Sequence, residues 1–306
     1  MPDKPFRILS LDGGGAKGFY TIGILQEIEA MMKQPLFGCF DLIFGTSTGA
    51  IIAALLARGE SMTEVRKLYE AHVPKIMGRR NRFGRSASLR VLARDVFKEA
   101  KFDEFKTKIG IVATRWDDER PMIFKNSVEQ AHGSKDSFQI GFDCTVADAL
   151  VASCSAYPFF RRPVVKTGKG DLVQVADGGF CANNPTLYAI ADATRALGKT
   201  KESLRVISLG VGSYPEPRTW RNAIKGIIPT VALIQKILGT NTCSMETLRL
   251  VLFADVDAIR ISDNFSEPEM ATDFLENDLR KLNRLVQKGR DSFRKNESRL
   301  RELLFD

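Results

Sequence analysis

The sequence predicts an α/β fold in which a mainly parallel sheet is covered by helices. The first fifty residues alternate short apolar runs with glycine-rich or sharp turns and then helical stretches, the order that strand–helix units produce. Later apolar runs are equally short, and several end in Gly or a polar turn, as strands feeding functional loops do. The composition, 44% apolar and 27% charged over 306 residues, is that of a globular protein and excludes wholesale disorder.

Taken in order, Arg7-Ile-Leu-Ser-Leu11 is the first strand and Asp12-Gly-Gly-Gly15 a turn. Residues 19–32 form a helix with Ile22, Leu25, Ile28 and Met32 at helical spacing. Asp41-Leu-Ile-Phe44 is the second strand, and Thr48–Arg58 the second helix, rich in Ala, Ile and Leu. Ile109-Gly-Ile-Val-Ala113, Met122-Ile-Phe124, Leu172-Val-Gln-Val-Ala176 and Val206-Ile-Ser-Leu209 follow as strands. From Met245 onward the pattern turns helical and charged, ending in a long amphipathic helix over 278–304. Length alone permits two domains, yet no repeat, low-complexity tract or linker divides the chain. One domain over 1–306 is expected, with a motif-bearing core at 7–212 and a helical extension at 213–306.

The longest uncharged stretch, residues 42–57, falls short of the roughly 20 apolar residues that a membrane span needs. The first residues hold no apolar signal segment, so a cytosolic protein is expected. Cys39, Cys144, Cys154, Cys181 and Cys243 form no C-x-x-C pair, and with two histidines they make no zinc pattern. Buried positions are expected for them. A formal net charge of +8 suits phosphate-bearing partners, whether nucleic acid, nucleotide or anionic bilayer. Residues 78–94 concentrate that charge in Arg79, Arg80, Arg82, Arg85, Arg90 and Arg94, with no acid among them. They read either as solvated surface or as a phosphate-binding or membrane-facing flap. Arg79, Arg80 and Arg82 are the candidates for ligand binding or a lid. Apart from Phe83 no aromatic residue is interleaved with these arginines, so a platform for single-stranded nucleic acid is not expected.

Gly45-Thr-Ser-Thr-Gly49 fits G-x-S-x-G between a strand and a helix. A sharp turn there pushes the Ser47 hydroxyl outward, and glycines spare the neighbouring backbone a collision. The N–H of Thr48, at the helix start, then faces a developing oxyanion. Asp12-Gly-Gly-Gly-Ala-Lys-Gly18 follows the first strand, and its consecutive glycines let amides converge on an anion. It is read as the oxyanion loop, with Lys17 adding charge or anchoring it. Gly13, Gly15 and Gly18 also satisfy the dinucleotide pattern G-x-G-x-x-G. That reading wants an acid at the end of the second strand, where Ser47 stands instead, so a hydrolase is favoured.

Neither His72, in a helical stretch, nor His132, in a polar loop, follows a strand as a triad base usually does. Asp177-Gly-Gly179 does follow a strand and precedes Asn183-Asn-Pro185. Its carboxylate is placed to take the Ser47 proton and later to activate water. An aspartate near its ordinary pKa of about 3.9 is a weak base at neutral pH, and burial would improve the match.

These residues resemble the patatin-like phospholipase family. The family's D-G-G-G-x-R/K-G is matched by Asp12 to Gly18, its G-x-S-x-G by Gly45 to Gly49, and its D-G-G/A by Asp177 to Gly179. Ser153-Cys-Ser-Ala-Tyr-Pro158 is similar to its small-residue and proline block. Lys17 departs from the commoner Arg, keeping the charge and losing the forked geometry. The resemblance implies a three-layer α/β/α fold and a Ser47–Asp177 dyad, with Gly13, Gly14, Gly15 and Thr48 as oxyanion donors. It also implies lipid acyl esters as substrates, with no metal or cofactor. Asn241-Thr-Cys-Ser-Met-Glu-Thr-Leu-Arg249, Ser266-Glu-Pro-Glu-Met-Ala-Thr-Asp273 and the basic end helix are similar to bacterial patatin-type effectors of CBASS anti-phage operons. That implies a cyclic dinucleotide activator, peripheral action on the inner membrane from the cytoplasm, and no nucleic acid polymer as partner. Self-association stays open, as do an unregulated lipase and a nucleotide-binding protein without hydrolysis.

Overall fold

A computed structural model describes residues 4–133, 135–215 and 227–305. Eight strands among them form one sheet: β1 (Phe6–Leu11), β2 (Leu42–Thr46), β3 (Lys108–Arg115), β4 (Arg120–Lys125), β5 (Val164–Lys166), β6 (Leu172–Asp177), β7 (Leu204–Leu209) and β8 (Asp257–Ile261). Their order is β5-β6-β3-β2-β1-β7-β8, with β4 also paired to β3. The pairs β1–β2, β1–β7, β2–β3 and β7–β8 are parallel, while β3–β4, β3–β6 and β5–β6 are antiparallel.

Side chains alternate across the strands. Phe6, Ile8, Leu42, Phe44, Leu204 and Val206 enter one buried cluster. Leu9, Leu11, Ile43, Ile207 and Leu209 enter the other. The first cluster lies under α7 (Thr186–Ala191), which supplies Ala189 and Ile190. The second lies under α1 (Gly18–Met32), α2 (Thr48–Arg58), α3 (Met62–Met77), α4 (Arg82–Phe97), α5 (Val146–Ser153) and the end of the chain. Helices on both faces of a mostly parallel sheet make the three-layer α/β/α arrangement.

Of residues 78–94, residues 78–81 turn the corner between α3 and α4 and the rest lie in α4, where Asn81 Oδ1 accepts the Gly84 N–H at 2.9 Å and starts the helix. Two further helices, α8 (Ile227–Leu252) and α9 (Leu279–Phe305), follow the motif-bearing core. The last, amphipathic as expected, packs on α1 and buries Leu282, Leu285, Val286 and Phe293. The C-terminal third differs from the expectation of an extension that turns helical from Met245 onward. Helix α8 begins well before Met245, and Asp257–Ile261 joins the sheet as β8. The charges at Asp257 and Arg260 obscured the strand's short alternation. Cys243 also departs from its expected burial, being exposed on α8, whereas Cys39, Cys144 and Cys154 are buried. Among the described residues no helix is long and apolar enough to cross a membrane.

Candidate active site

Only one residue separates β2 from α2. That residue, Ser47, takes φ 52° and ψ −122°, a conformation that costs a non-glycine residue free energy and persists only when its surroundings enforce it. The enforcement is visible. Ser47 N–H donates to Ser153 Oγ at 2.9 Å, and Ser153 Oγ donates to the Val112 carbonyl at 2.6 Å. A Cβ on Gly49 would stand 2.3 Å from the Leu11 carbonyl oxygen, so the turn closes only with glycine there.

Strand β3 brings the second group to Ser47. Val112 of β3 pairs with Thr46, the last residue of β2, and the next residue, Ala113, pairs with Asp177, the last residue of β6. Because β2 runs parallel and β6 antiparallel to β3, the two strand ends meet head-on. Ser47 Oγ donates to Asp177 Oδ2 at 2.7 Å, and Gly179 N–H donates to Asp177 Oδ1 at 2.8 Å. Burial pushes the Asp177 carboxyl up to about 6, and the hydrogen bonds from Ser47 and Gly179 oppose the rise. The histidines lie elsewhere: His132 Nε2 is 2.7 Å from Asp192 Oδ1, and His72 is on α3.

The glycine loop is anchored from below. The Asp12 carboxylate, only 2% exposed, is gripped by both terminal nitrogens of Arg260 on β8, and Asp12 N–H donates to the Leu209 carbonyl. Burial raises the Asp12 carboxyl and the guanidinium beside it opposes that rise. Gly14, Gly15 and Thr48 line one cavity with Ser47 and Asp177. Gly13 departs from its expected donor role because its N–H is engaged by the Asn183 carbonyl oxygen at 2.9 Å. Lys17 is buried behind the loop, where loss of solvent lowers its ammonium pKa to about 8 against the attraction of Asp273 and Asp12.

The cavity has an internal volume of about 50 Å³ and opens to solvent. Its apolar wall includes Ile51, Val73, Ile76, Leu89, Phe160 and Phe274. Arg79, Arg80 and Arg82 do not line it: they stand exposed on the α3–α4 corner, with Arg79 Nε on Ser88 Oγ and Arg82 over the Phe83 ring. Sequence reasoning missed the work of Ser153, Asn183 and Arg260. The first two stand in segments quoted for their motifs, and Arg260 carried no local signal.

A family model described as patatin-like phospholipase matches residues 9–190. An Escherichia coli protein named cUMP-AMP-activated phospholipase is 56% identical over 305 residues, covering 99% of this chain and 95% of its own. A Vibrio cholerae protein named cGAMP-activated phospholipase is 30% identical over 252 residues, 71% of this chain and 68% of its own. Among solved structures, VipD from Legionella pneumophila superposes with a TM-score of 0.54 at 14% identity, covering 98% of this chain and 67% of VipD, a likeness of fold.

Proposed function

The chain belongs to the patatin-like phospholipase family, and from that premise we propose that it hydrolyses acyl esters of membrane phospholipids through Ser47 and Asp177 under control of a cyclic dinucleotide. The observation that carries the reading is the 2.7 Å contact between Ser47 Oγ and Asp177 Oδ2 in the wall of an apolar cavity. Asp177 Oδ2 takes the hydroxyl proton as Oγ bonds to the ester carbonyl carbon, whose oxygen becomes an oxyanion. Gly14, Gly15 and Thr48, on the same cavity, supply the amide donors that hold it. The proton on Asp177 then passes to the departing lysophospholipid oxygen as the C–O bond breaks. In the second half Asp177 deprotonates a water that attacks the acyl-enzyme, and collapse returns a proton to Ser47 and frees the fatty acid. A carboxyl lifted to about 6 is a better base near neutrality than an ordinary one, while still being ionised there.

Peripheral contact with the inner membrane is supported by the cavity's surroundings. Met77 and Leu238 line it. Phe83 and the corner arginines follow Met77 in the chain, and the exposed Leu233 and Ile237 lie within two turns of Leu238 on α8. Apolar side chains beside arginines suit an anionic lipid surface. Control by a cyclic dinucleotide is supported by the Escherichia coli relative, whose name records activation by cUMP-AMP.

The test measures fatty acid release from phosphatidylethanolamine–phosphatidylglycerol vesicles, with and without cUMP-AMP, by the wild type and Ser47→Ala. Release that rises with nucleotide and vanishes in the variant is expected. Undiminished release by Ser47→Ala places the nucleophile elsewhere. A rate indifferent to cyclic nucleotides makes the protein an unregulated lipase, and nucleotide retention without ester cleavage makes it a binding protein.

A further inference from the structure

Asn183, beside the dyad, is hydrogen-bonded to Gly13, Asn241 and Thr242, and the last two lie outside the segment that the family model matches. It is buried, lines the Ser47 cavity, and follows the short helix α6 (Gly179–Ala182) that leads away from Asp177. Toward the glycine loop, its carbonyl accepts the Gly13 N–H at 2.9 Å and its Nδ2 donates to the Gly13 carbonyl at 3.3 Å. Toward α8, its backbone N–H donates to Asn241 Oδ1 and its Nδ2 to Thr242 Oγ1, both at 2.8 Å. Asn241 Nδ2 completes the tie by donating to the Cys181 carbonyl at 3.1 Å.

Each of these groups is a hydrogen-bonding partner for the buried Asn183, and an unmet buried amide is costly. The side chain also has little freedom to shift, since its Oδ1 occupies the slot left by two absent side chains. A Cβ on Gly13 would come 2.5 Å from that oxygen, and one on Gly179 3.0 Å. Gly13 is thus tied to Asn183 by two hydrogen bonds, and Gly14 and Gly15 follow it in the chain.

We propose that Asn241 and Thr242 of α8 are positioning residues that set the oxyanion loop through Asn183. The inference rests on Gly14 and Gly15 being the oxyanion donors. It gives the Asn241-Thr242 pair a mechanical role: a helix beyond residues 9–190 determines how well the amides meet the transition state. Misplacement on the scale of 1 Å costs about 100-fold in rate, so loss of both α8 partners should lower turnover without weakening substrate binding.

The experiment uses the full chain with a soluble short-chain ester, and counts competent sites by titrating Ser47 with a fluorophosphonate. Asn241→Ala combined with Thr242→Val should reduce kcat per titrated site by about 10- to 100-fold, with KM unchanged. Thr242→Val alone should show part of the loss, and Thr242→Ser, which restores the hydroxyl, should recover it. A structural role alone would lower the melting temperature or the number of titrated sites while leaving kcat per site intact, and that result overturns the proposal. If the double variant does not fold, the Thr242→Val and Thr242→Ser pair decides the matter in the same way. Gly14→Ala is the control for the underlying assignment. Should it too leave kcat unaffected, the oxyanion reading fails, whereas a crippled Gly14→Ala beside normal Asn241 and Thr242 variants removes the brace alone.

Discussion

As the proposed base, Asp177 meets two opposing requirements, since it must be buried to act near neutrality and ionised to accept a proton. Its carboxyl stands at about 6, so kcat/KM should fall about tenfold per pH unit below that value and level off above about 7. Asp177→Asn should lose about 100- to 10,000-fold in turnover and show no such limb. The stability consequence has a definite sign. A folded pKa above the ordinary 3.8 means that the native state holds the proton longer. The stabilisation is complete below about 4 and is lost as pH rises through about 6. Melting curves should therefore show the variant gaining on the wild type between pH 4 and pH 7. At Gly14 an added Cβ would come 2.6 Å from Val211 Cγ2, so Gly14→Ala forces the glycine loop and Val211 apart. The expected loss is about 100- to 1,000-fold in kcat, and a normal rate would locate the donors elsewhere.

At the scale of elements, the catalytic loops are held by partners that arrive from the far end of the chain. Strand β8 exists beside β7 and carries Arg260 to the buried Asp12, while α8 carries Asn241 and Thr242 to Asn183. Arg260→Met leaves the Asp12 charge buried and unpaired, which costs about 3–5 kcal/mol. Chemical denaturation should report that loss, and Asp12→Asn added to Arg260→Met should restore much of it. A variant of unchanged stability would mean that Asp12 is held by the loop and not by its ion pair.

At the scale of the whole molecule, charge and cavity are arranged on related elements. The helices α3 and α4 form a wall of the apolar cavity, and the corner between them displays Arg79, Arg80 and Arg82. Each arginine near an anionic surface contributes about 1 kcal/mol, so changing all three to Glu should weaken binding to phosphatidylglycerol vesicles by about 100-fold or more. Sedimentation with vesicles measures this, with soluble-ester hydrolysis as the control for folding. Equal binding by the variant would leave these arginines as solvated surface.

The candidate site positions were legible in the sequence because their demands are local. Ser47 needs a turn flanked by glycine, Gly14 needs a loop without side chains, and Asp177 needs a strand end, and each requirement leaves its mark within a few adjacent residues. The same holds for the alternation of β1, β2, β6 and β7, which the apolar runs reveal. Other features depend on registers and docking that adjacent residues do not encode. Ser47 and Asp177 are 130 positions apart, and they meet because Val112 and Ala113 hold the ends of a parallel and an antiparallel strand in line. The proton affinity of Asp177 follows from that burial, not from the Asp-Gly-Gly motif. Gly13 looked like a further oxyanion donor until Asn183 was folded against its amide, and the strand Asp257–Ile261 was masked by a charge whose partner, Asp12, lies 248 residues away. Backbone conformation is decided by neighbours in the chain, whereas hydrogen-bond partners and dielectric surroundings are decided by neighbours in space.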